Sequence, residues 1–255
     1  MSDPAANGQV SLLWHQYRLE RRMFWRNPSA AFFNFLLPLL FLVVFGVIFR
    51  GNHKDLETVL PAVAAMSIMS TTFTALAMNI TFLREQGVLK RMRGTPISTG
   101  TYLGGVGLNA VTNTAIQIVF VVLAGRLFFS IGWPPDPIQL IVFTFAGVIC
   151  LASLGVALSH VIPNFDSAPA IVNAVFLPAV FVSGVSLDTK HSPAFAKDLA
   201  QVLPLGHVVT GLKGGMVAAS GGLGNHLGAL AVIAVWAAGG IYLAVRGFSW
   251  ESARS

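Results

Sequence analysis

Charge is scarce in this chain. Of its 255 residues only 10% are Asp, Glu, Lys or Arg, while 55% are hydrophobic. Ordinary soluble domains carry about 25% charged residues, so the composition excludes a typical soluble domain and points to a lipid bilayer. Cysteine is nearly absent: Cys150 stands alone inside an apolar run, so no disulfide can form within the chain, and its presence says nothing about redox compartment. The phosphate-binding loop G-x-x-x-x-G-K-[ST] is missing, because no Lys is followed by Ser or Thr. The chain therefore does not hold ATP in that way. No G-x-S-x-G elbow surrounds Ser186 and Asp188, and His191 and His207 have no carboxylate or thiol at ligand spacing, which leaves hydrolytic and metal chemistry without support. No standard signal peptide is expected, since the first apolar run begins only near Ala30 and no small-x-small site follows before Arg50.

What is present is a series of long apolar runs. A membrane-spanning helix needs roughly 20 mostly apolar residues, and six stretches qualify: about 30–49, 59–82, 102–123, 138–160, 167–185 and 227–245. None contains an Asp, Glu, Lys or Arg. Ion-coupled transporters need an intramembrane carboxylate or His to bind and release the driving ion, and voltage sensors need a spaced Arg series. Neither is available in these spans. The formal net charge is +6, but the cations flank apolar runs rather than forming a stripe on a polar surface. They read as orientation signals and not as a nucleic-acid footprint. With the N-terminus inside, ten Lys and Arg fall in inner segments and six in outer ones. That bias places both termini, and the loop after the second span, in the cytoplasm.

Two further segments look helical without spanning. In Val10–Arg26, the residues Val10, Leu13, Trp14, Tyr17, Phe24 and Trp25 share one arc, and Ser11, His15, Arg18, Arg22 and Arg26 the other. Arg21 interrupts the apolar arc. This predicts an amphipathic helix lying on the inner leaflet, with Trp14 and Trp25 at headgroup depth and Arg18 and Arg22 toward anionic lipid; a cytosolic helix packed on a partner is the alternative. Between the last two spans, Ser192–Leu203 carries helix-start signals at Ser192 and Pro193, and Val208, Leu212 and Met216 form a second short apolar patch. Both are too short to cross and are expected to be re-entrant or to lie flat on the outer side.

Inside the spans, uncharged polar residues form faces. Asn109, Asn113 and Gln117 line one side of the third span, and Ser67, Thr71, Thr74 and Thr81 one side of the second. Such faces serve either as helix–helix adhesion or as a polar seam along a substrate path. Pro38 and Pro178 fall inside the first and fifth spans and should bend them.

The densest charge lies in "LREQGVLKRMRGTPIS", Leu83–Ser98, which holds Arg84, Glu85, Lys90, Arg91 and Arg93. Glu85–Met92 can form about two helical turns, anchored by Val88, Leu89 and Met92 and ended by Gly94 and Pro96. A simple positive-inside anchor needs cations alone, not Glu85, the glycines or the abrupt turn at Pro96. The shape is that of a docking surface.

This loop resembles the one between the second and third spans of ABC-2 type permeases, the membrane subunits of ATP-binding-cassette exporters. The resemblance rests on Arg84, Glu85, Gly87, Leu89, Lys90, Arg91, Pro96, Ile97 and Ser98. It extends to the basic N-terminal helix, the six spans, "FLPAVFVSGV" in the fifth and "LPLGHVVTGLKGG" before the sixth. Small drug- or antibiotic-resistance permeases are the nearest kind. The resemblance implies an all-α half-transporter in the cell membrane, one of two permease subunits (a homodimer or a heterodimer) that together form the pore. Each docks a separate ATPase, two copies in all, which carries the ATP and magnesium; the permease itself binds no cofactor and is no enzyme. Glu85–Arg93 would be the coupling helix. The second and fifth spans would line the route for a hydrophobic or amphiphilic cargo, with Thr71, Thr74, Phe176, Pro178, Val182 and Ser183 as candidate path residues. An autonomous channel or facilitator, a membrane-bound assembly factor, and an exporter of glycan or lipid rather than drug remain the alternatives.

Overall fold

The computed structural model describes residues 4–48, 53–183, 199–217 and 222–248. Every regular element among them is helical: α1 (Pro4–Arg26), α2 (Pro28–Ile48), α3 (His53–Met69), a π-helical turn (Ser70–Thr74), α4 (Ala75–Glu85), α5 (Val88–Arg93), α6 (Thr99–Phe129), α7 (Pro137–Ser159), α8 (Ala168–Val182), α9 (Pro204–Met216), a 3₁₀ turn (Leu223–His226) and α10 (Leu227–Gly247). Four helical stretches are long and apolar enough to cross a membrane: Glu57–Glu85, Thr99–Phe129, Pro137–Ser159 and Leu223–Gly247. Two shorter apolar helices, Pro38–Ile48 within α2 and Ala168–Val182, accompany them. The second predicted span is a single rod made of α3, the π turn and α4, and the third is longer than its apolar run, extending from Thr99 to Phe129.

The chain punctuates these helices where local chemistry requires. Ser98 caps α6, its Oγ accepting the Thr101 N–H at 3.1 Å. Asp136 caps α7 in the same way, accepting from Gln139 N at 2.9 Å, with Pro137 at the first helical position. Side-chain caps of this kind satisfy backbone donors that the helix itself leaves open. α2, α3 and α8 run on through Pro38, Pro61 and Pro178.

α7 is the central post. Packed around it are α10, α9, α4, the π turn, α6 and α3. Glycines set how closely the neighbours come. A Cβ on Gly155 of α7 would sit 2.5 Å from the Phe73 carbonyl oxygen, and one on Gly215 of α9 would sit 2.7 Å from Leu140 N. α9 corrects any picture of a helix lying flat on an outer surface: Val208, Leu212 and Met216 are all buried, and Gln139 Nε2 of α7 donates to Gly211 O at 3.1 Å. Pro204 starts this helix rather than only ending the segment before it. Of the helix expected over Ser192–Leu203, residues 199–202 are helical and Ser192–Asp198 lie outside the described residues.

α1 runs alongside the first half of α6. Gln9 meets Thr101, Gln16 lies on Gly105, Tyr17 meets Thr112 and Arg21 meets Asn113, so the contacts advance together along both helices. The buried side of α1 is polar, with Gln16 and Glu20 inside. The sequence pattern had set Leu13, Tyr17 and Phe24 on one apolar arc with Trp14 and Trp25. These three are half-buried, whereas Val10, Trp14 and Trp25 stay on the surface. The reason is what α6 offers: two adjacent glycines, Gly104 and Gly105, followed by hydrogen-bonding side chains at 112 and 113.

Candidate functional site

A cavity of about 430 Å³ lies between α1, the π turn with the start of α4, and α6. Its polar lining comes from Glu20 and Asn27 on the α1 side, Ser70, Thr71, Thr74 and Asn79 on the rod, and Asn109 and Asn113 on α6. Met23, Phe24, Leu76 and Val106 add apolar lining. Glu20 is only 5% exposed, and its carboxylate accepts Gln16 Nε2 at 2.8 Å. Burial pushes this carboxyl up to about 7, with the Gln16 hydrogen bond acting the other way. Arg21 Nη1 donates to Asn113 Oδ1 at 2.5 Å, and its guanidinium lies 5.7 Å from the centre of the Trp25 ring. Asn109 Oδ1 and Thr74 Oγ1 are buried without a hydrogen-bond partner.

A second cavity, about 320 Å³, lies between α2, the rod and α8. It is lined by Pro38, Phe41, Val63, Met66 and Ser67, and by Asn173, Phe176 and Leu177 of α8. Ser70 and Thr74 line both cavities, so the π turn is the wall between them. A π turn inserts one extra residue into the helical ladder and recurs at functional sites. Gly155 presses α7 onto the back of this turn at Phe73.

The adhesion and path readings of the polar faces therefore divide along the helices. Thr71 Oγ1 donates to Gln117 Oε1 at 2.6 Å, a buried tie between rod and α6. Ser67 and Thr81 bond back to Val63 O and Ala77 O on their own helix. Asn109 and Asn113 open into the first cavity. Among the candidate path residues, Thr71, Thr74 and Phe176 line cavities. Pro178 is on the surface, Val182 is half-buried, and Ser183 is buried at the end of α8 with no partner for its hydroxyl.

The charged foot has a built geometry. Gly87 takes φ +65°, the left-handed region in which a side chain is strained, and this turns the chain from α4 into α5. Leu89 is fully buried and pins α5 to the bundle, while Lys90 and Arg91 are exposed and Pro96 sits in the exposed turn leading to α6. The two residues before the turn bond back to the bundle, Arg84 from a buried position and Glu85 from an exposed one. Arg84 is buried and its Nη2 donates to Ile162 O at 2.6 Å. Glu85 Oε2 accepts Phe165 N–H at 2.7 Å. Both grip the connection between α7 and α8. Glu85, expected to face a partner, is exposed, and one of its carboxylate oxygens already accepts from the chain itself.

At α1, Arg18 lies 5.4 Å from the centre of the Trp14 ring, and Arg22 is exposed. Trp14 and Trp25 are 45% and 54% exposed, an aromatic edge suited to headgroup depth. Sequence reasoning missed Glu20, Gln16 and the inward role of Arg84. The i, i+4 spacing of Gln16 and Glu20 was the available signal. Ser186, Asp188 and His191 lie outside the described residues, His207 Nε2 pairs with Gln201 O at 2.8 Å, and no metal-binding cluster occurs among the described residues.

The long apolar helices mark a multi-pass membrane protein, and the family match places it among transporters. The chain belongs to the ABC-2 type transporter family, whose model matches residues 10–217. It is similar to a Porphyra purpurea protein named as the transport permease ycf38, with 28% identity over 212 residues covering 76% of this chain and 71% of that one. It is also similar to the daunorubicin resistance ABC transporter permease protein DrrB1 of Streptomyces coeruleorubidus (27% over 190 residues, 69% and 64%). A third relative is nodulation protein J of Sinorhizobium fredii (26% over 179 residues, 68% and 66%).

Proposed function

We propose that this chain is the permease subunit of an ATP-driven exporter and that a separate ATP-binding-cassette ATPase docks on its foot. The observation that carries this reading is the foot itself. Lys90 and Arg91 are presented to the outside on a short helix whose other side is fixed by Leu89, and whose root is bonded through Arg84 and Glu85 to the α7–α8 connection. A push on α5 is thereby delivered to two helices at once. Members of the family generally work with an ABC ATPase, which supplies ATP and magnesium, so this chain needs no cofactor.

In this reading α2 and α8 complete six crossings, both termini and the foot face the cytoplasm, and the chain sits in the cell membrane. Two permease subunits, alike or related, form the pore. The exposed Trp14 and Trp25 rest among lipid headgroups with Arg18 and Arg22. Cargo passes along the rod, by the π turn with Thr71 and Thr74, and meets Phe176 on α8; Pro178, Val182 and Ser183 follow toward the exit. The mainly apolar second cavity suits a hydrophobic or amphiphilic molecule, drug-like or lipid-like, and the daunorubicin resistance relative favours efflux of that kind.

Co-expression with the ATPase tests the docking. The wild-type permease should co-purify with it at one ATPase per permease. Lys90→Glu combined with Arg91→Glu, both exposed and remote from the core, should lose the ATPase while eluting as a monodisperse membrane protein. Retention of the ATPase at the wild-type ratio would remove the foot as its dock.

A further inference from the structure

We infer that the cavity closed by α1, the π turn and α6 is a binding site for an amphiphilic organic cation, with the Glu20 carboxylate as its counter-charge. Its use in transport rests on the permease reading, whereas the binding itself does not.

Size and lining point to such a ligand. A cavity of about 430 Å³ lies within the usual range for small-molecule sites, roughly 300–1,000 Å³. Met23, Phe24, Leu76 and Val106 supply apolar lining, which suits rings or an acyl segment. The polar lining holds a single ionisable residue, Glu20. The adjacent cation does not neutralise that carboxyl, because Arg21 is turned to Asn113 Oδ1 and the Trp25 ring. The only hydrogen bond at the Glu20 carboxyl among the described residues comes from Gln16. Nearby, Asn109 Oδ1 and Thr74 Oγ1 are further oxygens without partners. A buried carboxylate favours a cation over an anion or a neutral molecule.

The titratable groups around Glu20 are Tyr17 and Arg21 on its own helix and Tyr102 on α6. α2 and residues 70–79 of the rod bring none. The carboxyl, raised to about 7 by burial, is charged above that pH and neutral below it. Cation affinity is therefore full on the alkaline side and is lost as pH falls through 7.

The test uses the full-length permease, purified alone in detergent without any ATPase, with tetraphenylphosphonium as probe and tetraphenylborate as its anionic match in size. Wild-type affinity for the phosphonium should drop about tenfold from pH 8 to pH 6. Glu20→Gln, which keeps a partner for Gln16, should weaken binding about tenfold at pH 8 and flatten the pH profile, and Glu20→Asp should restore part of both. Tetraphenylborate should not displace the phosphonium. The site is overturned if Glu20→Gln binds with wild-type affinity and pH profile, or if the anion binds as well as the cation. Should Glu20→Gln fail to fold, the wild-type pH profile and the anion comparison still decide. Because no ATPase is present, a failure here is separate from a failure of the docking test, and each can occur without the other.

Discussion

Replacing Gly155 by Ala should destabilise the protein by about 1–3 kcal/mol, the cost of overpacking a close contact, and should cut transport with it. A helix-interior Gly→Ala change is ordinarily favourable by roughly 1 kcal/mol, so the expected sign is opposite to the intrinsic one. The cause is the approach of α7 to the π turn. The new Cβ would fall 2.5 Å from the Phe73 carbonyl oxygen, 2.8 Å from its Cα and 3.0 Å from its carbonyl carbon. These are backbone atoms and cannot rotate away. Either α7 withdraws or the π turn shifts, and that turn holds Ser70 and Thr74 between the two cavities. Gly239→Ala on α10 is the control, since nothing lies within 4 Å of its added carbon. Thermal unfolding of the detergent-solubilised protein should show Gly155→Ala melting several degrees lower, at about 2–4 °C per kcal/mol for a chain of this size, and Gly239→Ala unchanged or higher. Equal melting of the two would mean that α7 and the π turn are not in close contact.

The second large effect is expected at Arg84. Arg84→Met keeps an unbranched apolar stem and removes the donor to Ile162 O, a charge-assisted hydrogen bond of about 1.5–3 kcal/mol. The foot remains on the surface, with Leu89 still buried beneath it and Lys90 and Arg91 still exposed. The ATPase should therefore still bind and hydrolyse ATP. Movement of the foot would then reach the α7–α8 connection through the Glu85 bond to Phe165 N–H and the Phe82–Phe165 ring contact, without the Arg84 tie. The expected result is hydrolysis near the wild-type rate with transport reduced about tenfold, a loss equivalent to about 1.4 kcal/mol, and partial recovery in Arg84→Lys. If hydrolysis and transport fall in step, the lesion is one of folding and not of force transfer.

The helices were legible because a bilayer forbids open backbone polar groups, so each crossing must be a long uncharged run. The runs from 59, 102, 138 and 227 each fall within a helix long enough to cross, while the runs near 30 and 167 correspond to shorter apolar helices. The foot was legible for a complementary reason: charge in an apolar chain is conspicuous, and Gly87 and Pro96 mark its turns. The cavity was not. Glu20 sits among four arginines, Arg18, Arg21, Arg22 and Arg26, and only its i, i+4 spacing from Gln16 hints that it faces inward. Its burial follows from Gly104 and Gly105, far along the chain, which let α1 lie directly on α6. Arg84 looked like part of the foot because its acceptor, Ile162, lies 78 residues away. The π turn left no trace either, since one extra residue barely disturbs a run in which small hydroxyl side chains alternate with apolar ones. The segment of α9, too short to cross, was expected to be re-entrant or to lie flat on the outer side; Gly211 and Gly215 give α7 the close approach that buries it.

The most direct measurement is uptake of a fluorescent amphiphile by proteoliposomes containing the permease with and without the ATPase. Accumulation against a gradient should require both proteins together with ATP and magnesium, and should vanish with Lys90→Glu/Arg91→Glu. Uphill movement by the permease alone, with no nucleotide, would contradict the account, because it would place the driving force within helices to which we have assigned none.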